Sequence, residues 1–152
     1  MSIRDNFKVI RPEITDEEIY SLCKLTNIYS VVKNLPNGLD TIIGENASKL
    51  SGGQKQKLCI ARALARDVKI LIFDEATSAL DNANQREIMK VIEKLKSRVT
   101  VILIAHRLST ITYADNIYVL EDGKILSNGT HEELLDNCEY YKELYNNSQH
   151  SV

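Results

Sequence analysis

The sequence predicts an α/β fold, because two short apolar runs flank a segment with helical periodicity. Residues 70–73 and 99–104 are almost wholly apolar, as expected for strands of a parallel sheet buried on both faces. Between them, Ile88, Ile92 and Leu95 recur at helical spacing. A strand, a helix and a second strand predict a right-handed βαβ unit, in which the carboxyl ends of both strands share one sheet edge.

The first fifty residues predict small helices separated by turns. Thr15 begins a capping box in which Glu18 reaches back to the cap, and apolar residues follow at helical spacing. The sequence Pro36-Asn37-Gly38 predicts a turn. A helical region therefore precedes the sheet.

Beyond the second strand, the sequence predicts a β-hairpin followed by helices. Asp122-Gly123 lies between two short apolar segments, residues 117–120 and 124–126, which is a strong hairpin signal. Thr130 and Glu133 then form a second capping box before a helical segment. This part of the chain is expected to be a small hairpin-and-helix region.

Residues 50–66 predict a helix whose first turn can contact a phosphate. Ser51 can cap this helix, while Gly52 and Gly53 leave the first backbone N–H groups uncovered. A helix N-terminus is positively polarised and suits an anion. The same residues can instead form a plain helix cap with a tight turn, and Gln54 is an ordinary residue for a first helical turn.

Two adjacent carboxylates, Asp74 and Glu75, end the first apolar strand. In an open α/β sheet the ligand crevice lies at the carboxyl ends of the strands, where these acids would meet a magnesium nucleotide. One acid can hold the metal through water while the other polarises an attacking water. A buried strand end is a costly place for two acids, which favours this role over a turn cap or a surface acid.

Two further residues are expected near the same sheet edge. Asp81 precedes the predicted helix and can serve as its N-cap. His106 follows the second strand, so the βαβ geometry places it at the same edge as Glu75. A lone histidine at a strand end is also commonly structural.

The order of these segments resembles the nucleotide-binding domain of ATP-binding cassette (ABC) transporters. Four segments are like the signature motif, the Walker B strand with its catalytic glutamate, the D-loop and the switch histidine: residues 50–54, 70–75 and 78–81, and His106. The resemblance covers about residues 2–145. It implies a truncated P-loop NTPase fold, with a helical signature subdomain at about 1–66 and the remainder of the catalytic core at about 67–152.

The resemblance also implies a role for each motif. The signature residues would close over ATP held by the P-loop of a second nucleotide-binding domain: Ser51, Gly52, Gly53 and Gln54. Asp74 would hold Mg²⁺ through water, and Glu75 would orient and deprotonate the hydrolytic water. His106 would contact the terminal phosphate, and Asp81 would communicate across the dimer interface.

Two segments resemble exporters in particular. Residues 3–6 resemble the segment shortly after the Gln loop of an exporter domain, and residues 41–47 resemble the loop that touches the coupling helices of the membrane part. The family usually has Gly where this chain has Ala47, and a plain strand–turn connection is the alternative. The implied function is MgATP hydrolysis that drives export through a transmembrane partner, with this chain at the cytoplasmic face of the membrane.

The P-loop motif Gly-x-x-x-x-Gly-Lys-[Ser/Thr] is absent from the sequence, which has six glycines. One helix N-terminus favours an anion by only about 0.3–1 kcal/mol, so the signature helix cannot hold ATP tightly. The chain alone is therefore expected to be inactive. Without a P-loop strand the sheet would have an unpaired apolar edge, which predicts marginal stability or self-association.

Composition limits the classes of function. The chain has 152 residues, 43% of them hydrophobic and 26% charged, which is ordinary for one soluble domain. A net charge of -2 argues against nucleic acid as the main partner. Cys23, Cys59 and Cys138 are odd in number and widely spaced, which suggests a reducing cytosol and no zinc site. The apolar runs are too short to span a membrane.

Two alternatives to an exporter ATPase remain open. A non-catalytic interaction module would donate its signature and D-loop residues to the ATP site of a partner without turning over its own nucleotide. A chromosome-maintenance or repair ATPase shares the same motif order, but those proteins have long coiled coils before the signature. Residues 1–49 contain no sustained heptads.

Overall fold

The computed structural model describes residues 1–44, 50–75, 80–104 and 108–149. The helices of this part of the chain are α1 (Ile3–Lys8), α2 (Asp16–Leu25), α3 (Tyr29–Asn34), α4 (Gly52–Leu64), α5 (Asn82–Leu95), α6 (His131–Asn137) and α7 (Glu139–Gln149). Its strands are β1 (Ile70–Asp74), β2 (Thr100–Ile104), β3 (Ile117–Glu121) and β4 (Lys124–Gly129), and 3₁₀ turns lie at Gly38–Asp40 and Leu108–Thr110. The chain divides into two compact units, Met1–Ile102 and Leu103–Val152.

Helices α1 to α4 share one apolar core. Its buried members come from all four helices and the turns between them: Ile3, Phe7, Ile14, Ile19, Cys23, Ile28, Val32, Leu39, Leu50, Leu58, Ala61 and Ala65. Arg4 clamps α1 to α2 through two hydrogen bonds to the Asp16 carboxylate, each of 2.9 Å. This packing holds the helix that begins after Ser51 in place.

The predicted capping boxes are confirmed. Thr15 Oγ1 accepts the N–H of Glu18, and the Glu18 carboxylate accepts the N–H of Thr15 at 2.9 Å. Thr130 and Glu133 make the same exchange at the start of α6. These boxes depend on residues three apart in the sequence, which is why the local pattern sufficed to predict them.

Strand β1, helix α5 and strand β2 follow one another as predicted, and the two strands pair in a parallel sheet. Helix α5 buries the predicted apolar face, with Ile88 and Leu95 wholly buried and Ile92 nearly so. Only six residues separate Asp81 from the carboxyl end of β1. The βαβ connection therefore determines the positions of both the acids and the N-terminus of α5.

The expectation that the first strand is buried on both faces is wrong. Leu71 and Phe73 are buried, but Ile70 and Ile72 are 57% and 61% exposed. On β2, Ile102 and Ile104 are also exposed. Among the described residues the sheet has only two strands, and none of the described helices buries these isoleucines. A continuous apolar run suits a strand covered on both faces, but the described residues cover only one face of β1.

The unit Leu103–Val152 contains the predicted hairpin. Strands β3 and β4 are antiparallel, with Glu121 opposite Lys124. Asp122 and Gly123 have φ values of 48° and 75°, the left-handed pair that a two-residue hairpin turn requires. Tyr141 of α7 is buried, and its hydroxyl lies 2.9 Å from His131 Nδ1. In the part of the chain that the structure describes, no helix has the length and apolarity needed to cross a bilayer.

Candidate functional site

The start of α4 is a capping box between Ser51 and Gln54. Ser51 Oγ accepts the N–H of Gln54 at 3.3 Å, and Gln54 Oε1 accepts the N–H of Ser51 at 2.9 Å. The box uses an acceptor atom of each side chain, so the Ser51 hydroxyl proton and the Gln54 amide hydrogens stay available as donors. The exposed first turn therefore presents mainly hydrogen-bond donors.

The charges around this helix start also favour an anion. The first turn of α4 contains no acidic residue, whereas the first turns of α1, α2, α6 and α7 each contain at least one. Gly52 at this turn is exposed. The α4 macrodipole is positive at this end, so a phosphate can approach the backbone N–H groups of the first turn without repulsion from a carboxylate within that turn.

The two glycines of this turn differ in how closely neighbouring side chains approach them. A Cβ atom on Gly53 would lie 2.7 Å from Cγ of Asn84, closer than such atoms normally approach, and 3.0 Å from its Cβ, which is also a tight contact. A Cβ atom on Gly52 would meet Leu80 Cδ2 at 3.5 Å, which is an ordinary contact. Gly53 is therefore needed for packing against α5, while packing leaves room for a side chain at Gly52.

Asp81 is the N-cap of α5, as predicted. Its Oδ1 accepts the N–H of Asn84 at 2.8 Å, and its Oδ2 accepts a hydrogen bond from Asn84 Nδ2 at 2.8 Å. The hydrogen bond from the Asn84 backbone is the main cause that lowers the pKa of Asp81 below its usual value. Asn84 thus contacts both the α5 cap and Gly53, which brings the starts of α4 and α5 together.

Asp74 ends β1, and Glu75 follows it with φ 47°, in the left-handed region that residues with a Cβ atom rarely adopt. Both side chains are exposed. The expectation that Asp74 and Glu75 lie at a buried strand end is therefore wrong, because the face beside them is open. Within the described residues Asp74 makes no side-chain hydrogen bond or ion pair, and its carboxylate is open to solvent.

Mg²⁺ fits this donor set as a partly hydrated ion. It is usually held by one or two carboxylates together with waters and substrate phosphates. Asp74 and Glu75 supply two carboxylates at one exposed strand end. No group of three His, Cys, Asp or Glu side chains suited to a metal occurs in the described ranges.

Some predicted site residues lie outside the described residues. His106 is one of them, and so are residues 78–79 of the predicted D-loop and Ala47 of the predicted coupling loop. Sequence reasoning missed Asn84, because its contact with Gly53 spans thirty-one positions and leaves no local pattern. It also missed the Ser51–Gln54 capping box, although the spacing of Ser51 and Gln54 indicates one.

Comparison with known proteins gives consistent matches. Residues 1–78 match the family model described as "ABC transporter". An ABC multidrug transporter of Trichophyton equinum is 48% identical over 145 residues, which are 94% of this chain and 11% of that protein. The ATP-dependent lipid A-core flippase of Desulfotalea psychrophila is 48% identical over 145 residues, 95% of this chain and 25% of that protein.

A solved structure agrees with the sequence matches. The chain superposes on a bacterial Atm1-family ABC exporter with ATP bound at a TM-score of 0.83, with 38% sequence identity. The match covers 97% of this chain and 26% of that chain. The chain thus spans about a quarter or less of the length of the relatives it matches.

Proposed function

The chain belongs to the ABC transporter family, and we propose that it forms the signature and Walker B part of a composite ATP site in an exporter. Its α/β fold is a truncated form of the ABC ATPase fold. A relative matched over 95% of the chain is named a "putative multidrug export ATP-binding/permease protein", and the matched solved structure is an ABC exporter, which supports an export function.

The observation that carries the proposal is the joint placement of the α4 and α5 starts. Gly53 packs directly on Asn84, and Asn84 is bonded to Asp81. The donor-rich turn at Ser51 and the Asp81 cap therefore form one continuous surface. Such a surface suits one half of a composite phosphate site. The other half holds the ATP molecule, and these donors complete the site by contacting its phosphates.

The carboxyl end of β1 supplies the second half of the chemistry. Asp74 holds Mg²⁺ through water in this proposal, since its carboxylate is exposed and without a protein partner in the described ranges. Mg²⁺, when bound, neutralises charge on the phosphates. Glu75 orients the attacking water and takes its proton, and His106 contacts the terminal phosphate.

The proposal requires two kinds of partner. A P-loop from another segment or subunit must hold ATP, because the sequence contains no P-loop motif. A transmembrane domain carries the substrate in this proposal, in keeping with the match to an ABC exporter. A second nucleotide-binding domain would pair with the Ser51 and Asp81 surface, and the assembly would lie at the cytoplasmic face of the membrane.

A chimera tests the catalytic part of the proposal. This chain replaces the matching 145 residues of the lipid A-core flippase of Desulfotalea psychrophila, which then supplies the missing segments. We expect the chimera to hydrolyse MgATP, and Glu75→Gln to lower kcat by at least about 100-fold, the range of a lost general base. Glu121→Gln is the matched control, because Glu121 is an exposed acid at the end of β3. A folded chimera that binds ATP without hydrolysing it would contradict the proposal.

The absent P-loop motif favours a second candidate, a module that completes the ATP site of a partner without turnover of its own. In that case the chimera would bind ATP without hydrolysing it, whereas the chain would stimulate the ATPase activity of a complete cassette subunit, and that stimulation would survive Glu75→Gln but fall with Gly52→Arg, which blocks the approach to the α4 start. The two candidates therefore give opposite results for Glu75 and the same result for Gly52.

Calorimetric titration of the 152-residue chain with MgATP tests whether the ATP site is shared between this chain and a P-loop located elsewhere. We expect no saturable binding below the millimolar range, because one helix N-terminus contributes only about 0.3–1 kcal/mol toward an anion. Saturable micromolar binding would show that a nucleotide pocket forms without a P-loop. That result would overturn the composite site.

A further inference from the structure

A basic cleft lies on the unit Met1–Ile102, within the N-terminal helices and α5 and separate from the residues assigned to the ATP site. It is an open cavity of about 390 Å³. Six residues line it, four from α2 and two from the end of α5 and the turn after it: Ser21, Leu22, Lys24, Leu25, Lys94 and Arg98. Three of the six are cationic and none is acidic, although the whole chain has a net charge of -2.

The three cations of this basic cleft are not neutralised by the protein. In the described part of the chain, Lys24 and Arg98 have no ion pair with a carboxylate, and Lys94 donates to the neutral amide oxygen Asn27 Oδ1 at 3.0 Å. Other cations of the same unit do have acidic partners, as Arg4 has Asp16 and Asp40. The positive charge of the cleft is therefore available to a ligand.

Contacts within the protein restrain two of the three cations of the cleft. The hydrogen bond from Lys94 to Asn27 joins α5 to the residues after α2, and it uses one of the three N–H donors of the ammonium group. The Lys24 ammonium lies 4.9 Å from the Tyr29 ring centroid, which restricts its position. Basic residues at helix C-termini also interact favourably with the helix macrodipole. That role alone does not explain why basic residues of two helices line the same cavity.

We propose that the basic cleft binds a polyvalent phosphate group. The planar guanidinium of Arg98 can donate two parallel hydrogen bonds to phosphate oxygens, and Lys24 and Lys94 add point charges. The Ser21 hydroxyl can donate a further hydrogen bond. Three cations around a cavity of this size match a diphosphate better than a singly charged anion, because each additional charge adds to the attraction.

The test is a titration of the 152-residue chain with inorganic pyrophosphate, at constant ionic strength and without Mg²⁺. Calorimetry gives the affinity, and backbone amide shifts give the location. We expect saturable binding with shifts centred on residues 21–25 and 94–98. Absence of binding, or shifts centred on residues 51–54, would overturn the proposal.

Single substitutions then identify the contacts. Lys24→Gln, Lys94→Gln and Arg98→Gln should each weaken pyrophosphate binding by up to about fivefold, the upper end of the range for one exposed charge pair. Arg98→Lys keeps the charge but loses the planar fork, so its affinity should fall between those of the native chain and Arg98→Gln. The side chains are exposed, and far-UV spectra of the variants should match the native spectrum.

Matched controls separate the cleft from general positive charge. Lys33 lies over the same Tyr29 ring as Lys24, at 5.5 Å, but does not line the cavity. Lys90 is one turn before Lys94 on α5 and pairs with Glu87. Lys33→Gln and Lys90→Gln should change the affinity by less than about twofold, since distant exposed charges are screened by salt. Equal losses in the controls and the cleft variants would contradict the proposal.

Discussion

The packing of Gly53 against Asn84 leads to a specific prediction for Gly53→Ala. The added methyl group would lie 2.7 Å from Cγ and 3.0 Å from Cβ of Asn84, so Asn84 has to move away from Asp81. Overpacking of this kind costs about 1–3 kcal/mol. Gly52→Ala is the matched control, because its methyl group would meet only Leu80 at 3.5 Å.

Comparing the two variants isolates the effect of Asn84. Both replace a glycine in the first turn of α4 by alanine, so the gain in helix propensity, up to roughly 1 kcal/mol, nearly cancels in the difference. We therefore expect Gly53→Ala to be less stable than Gly52→Ala by about 1–3 kcal/mol. Urea unfolding followed by far-UV circular dichroism measures the free energy of unfolding of each variant.

A double-mutant cycle completes the test. Asn84→Ala removes the side chain that the new methyl group would meet, so Gly53→Ala should cost much less in the Asn84→Ala background. Equal stability of Gly52→Ala and Gly53→Ala, or an unchanged cost of Gly53→Ala beside Ala at position 84, would refute the argument that Gly53 is required by packing. Activity of the flippase chimera then tests Gly52 separately, because Gly52→Ala should keep the fold and reduce ATP turnover.

Four further predictions follow from the described residues. Glu75→Gly should unfold with a free energy about 1 kcal/mol higher than Glu75→Ala, because only glycine adopts φ 47° without strain, and equal values would contradict the strain. The lowered pKa of Asp81 means that its stabilising effect is complete above its unfolded pKa and is lost as pH falls through its folded pKa. The urea midpoint of unfolding should therefore fall less between neutral and acidic pH in Asp81→Asn than in the native chain. Identical pH dependence of the two midpoints would disprove this role of the Asp81 carboxylate. Burial raises the pKa of Cys23 to about 12, so a thiol reagent should modify exposed Cys59 first, and rapid loss of both thiols would argue against the core packing. Ile72→Thr should reduce self-association measured by sedimentation velocity, because Ile72 is 61% exposed on the open sheet face, whereas a strictly monomeric native chain would refute the expectation.

Local patterns were sufficient for much of the fold. The Thr15 and Thr130 capping boxes, the turn at Asp122-Gly123 and the apolar face of α5 all occur where the sequence predicts them. Each depends on residues within a few positions of one another, so the periodicity and cap chemistry already determine the outcome. The order of motifs was also enough to recognise the ABC transporter family.

Predictions about burial were less reliable. The apolar run 70–73 predicted a strand covered on both faces, yet Ile70 and Ile72 are exposed. The burial argument for Asp74 and Glu75 was wrong for the same reason. The apolar composition of a strand indicates the environment for which it is suited. The elements that pack on the strand determine which of its faces are buried.

The sequence by itself determined the α/β class, the caps, the hairpin and the motifs of the proposed ATP site, because these depend on short spacings and on residue chemistry. Only the tertiary structure decided how the motifs meet. It placed Asn84 between Gly53 and Asp81, gave the two glycines of the α4 start different roles, and brought Lys24, Lys94 and Arg98 around one cleft. These contacts join positions tens of residues apart, and their geometry arises from the packing of whole helices.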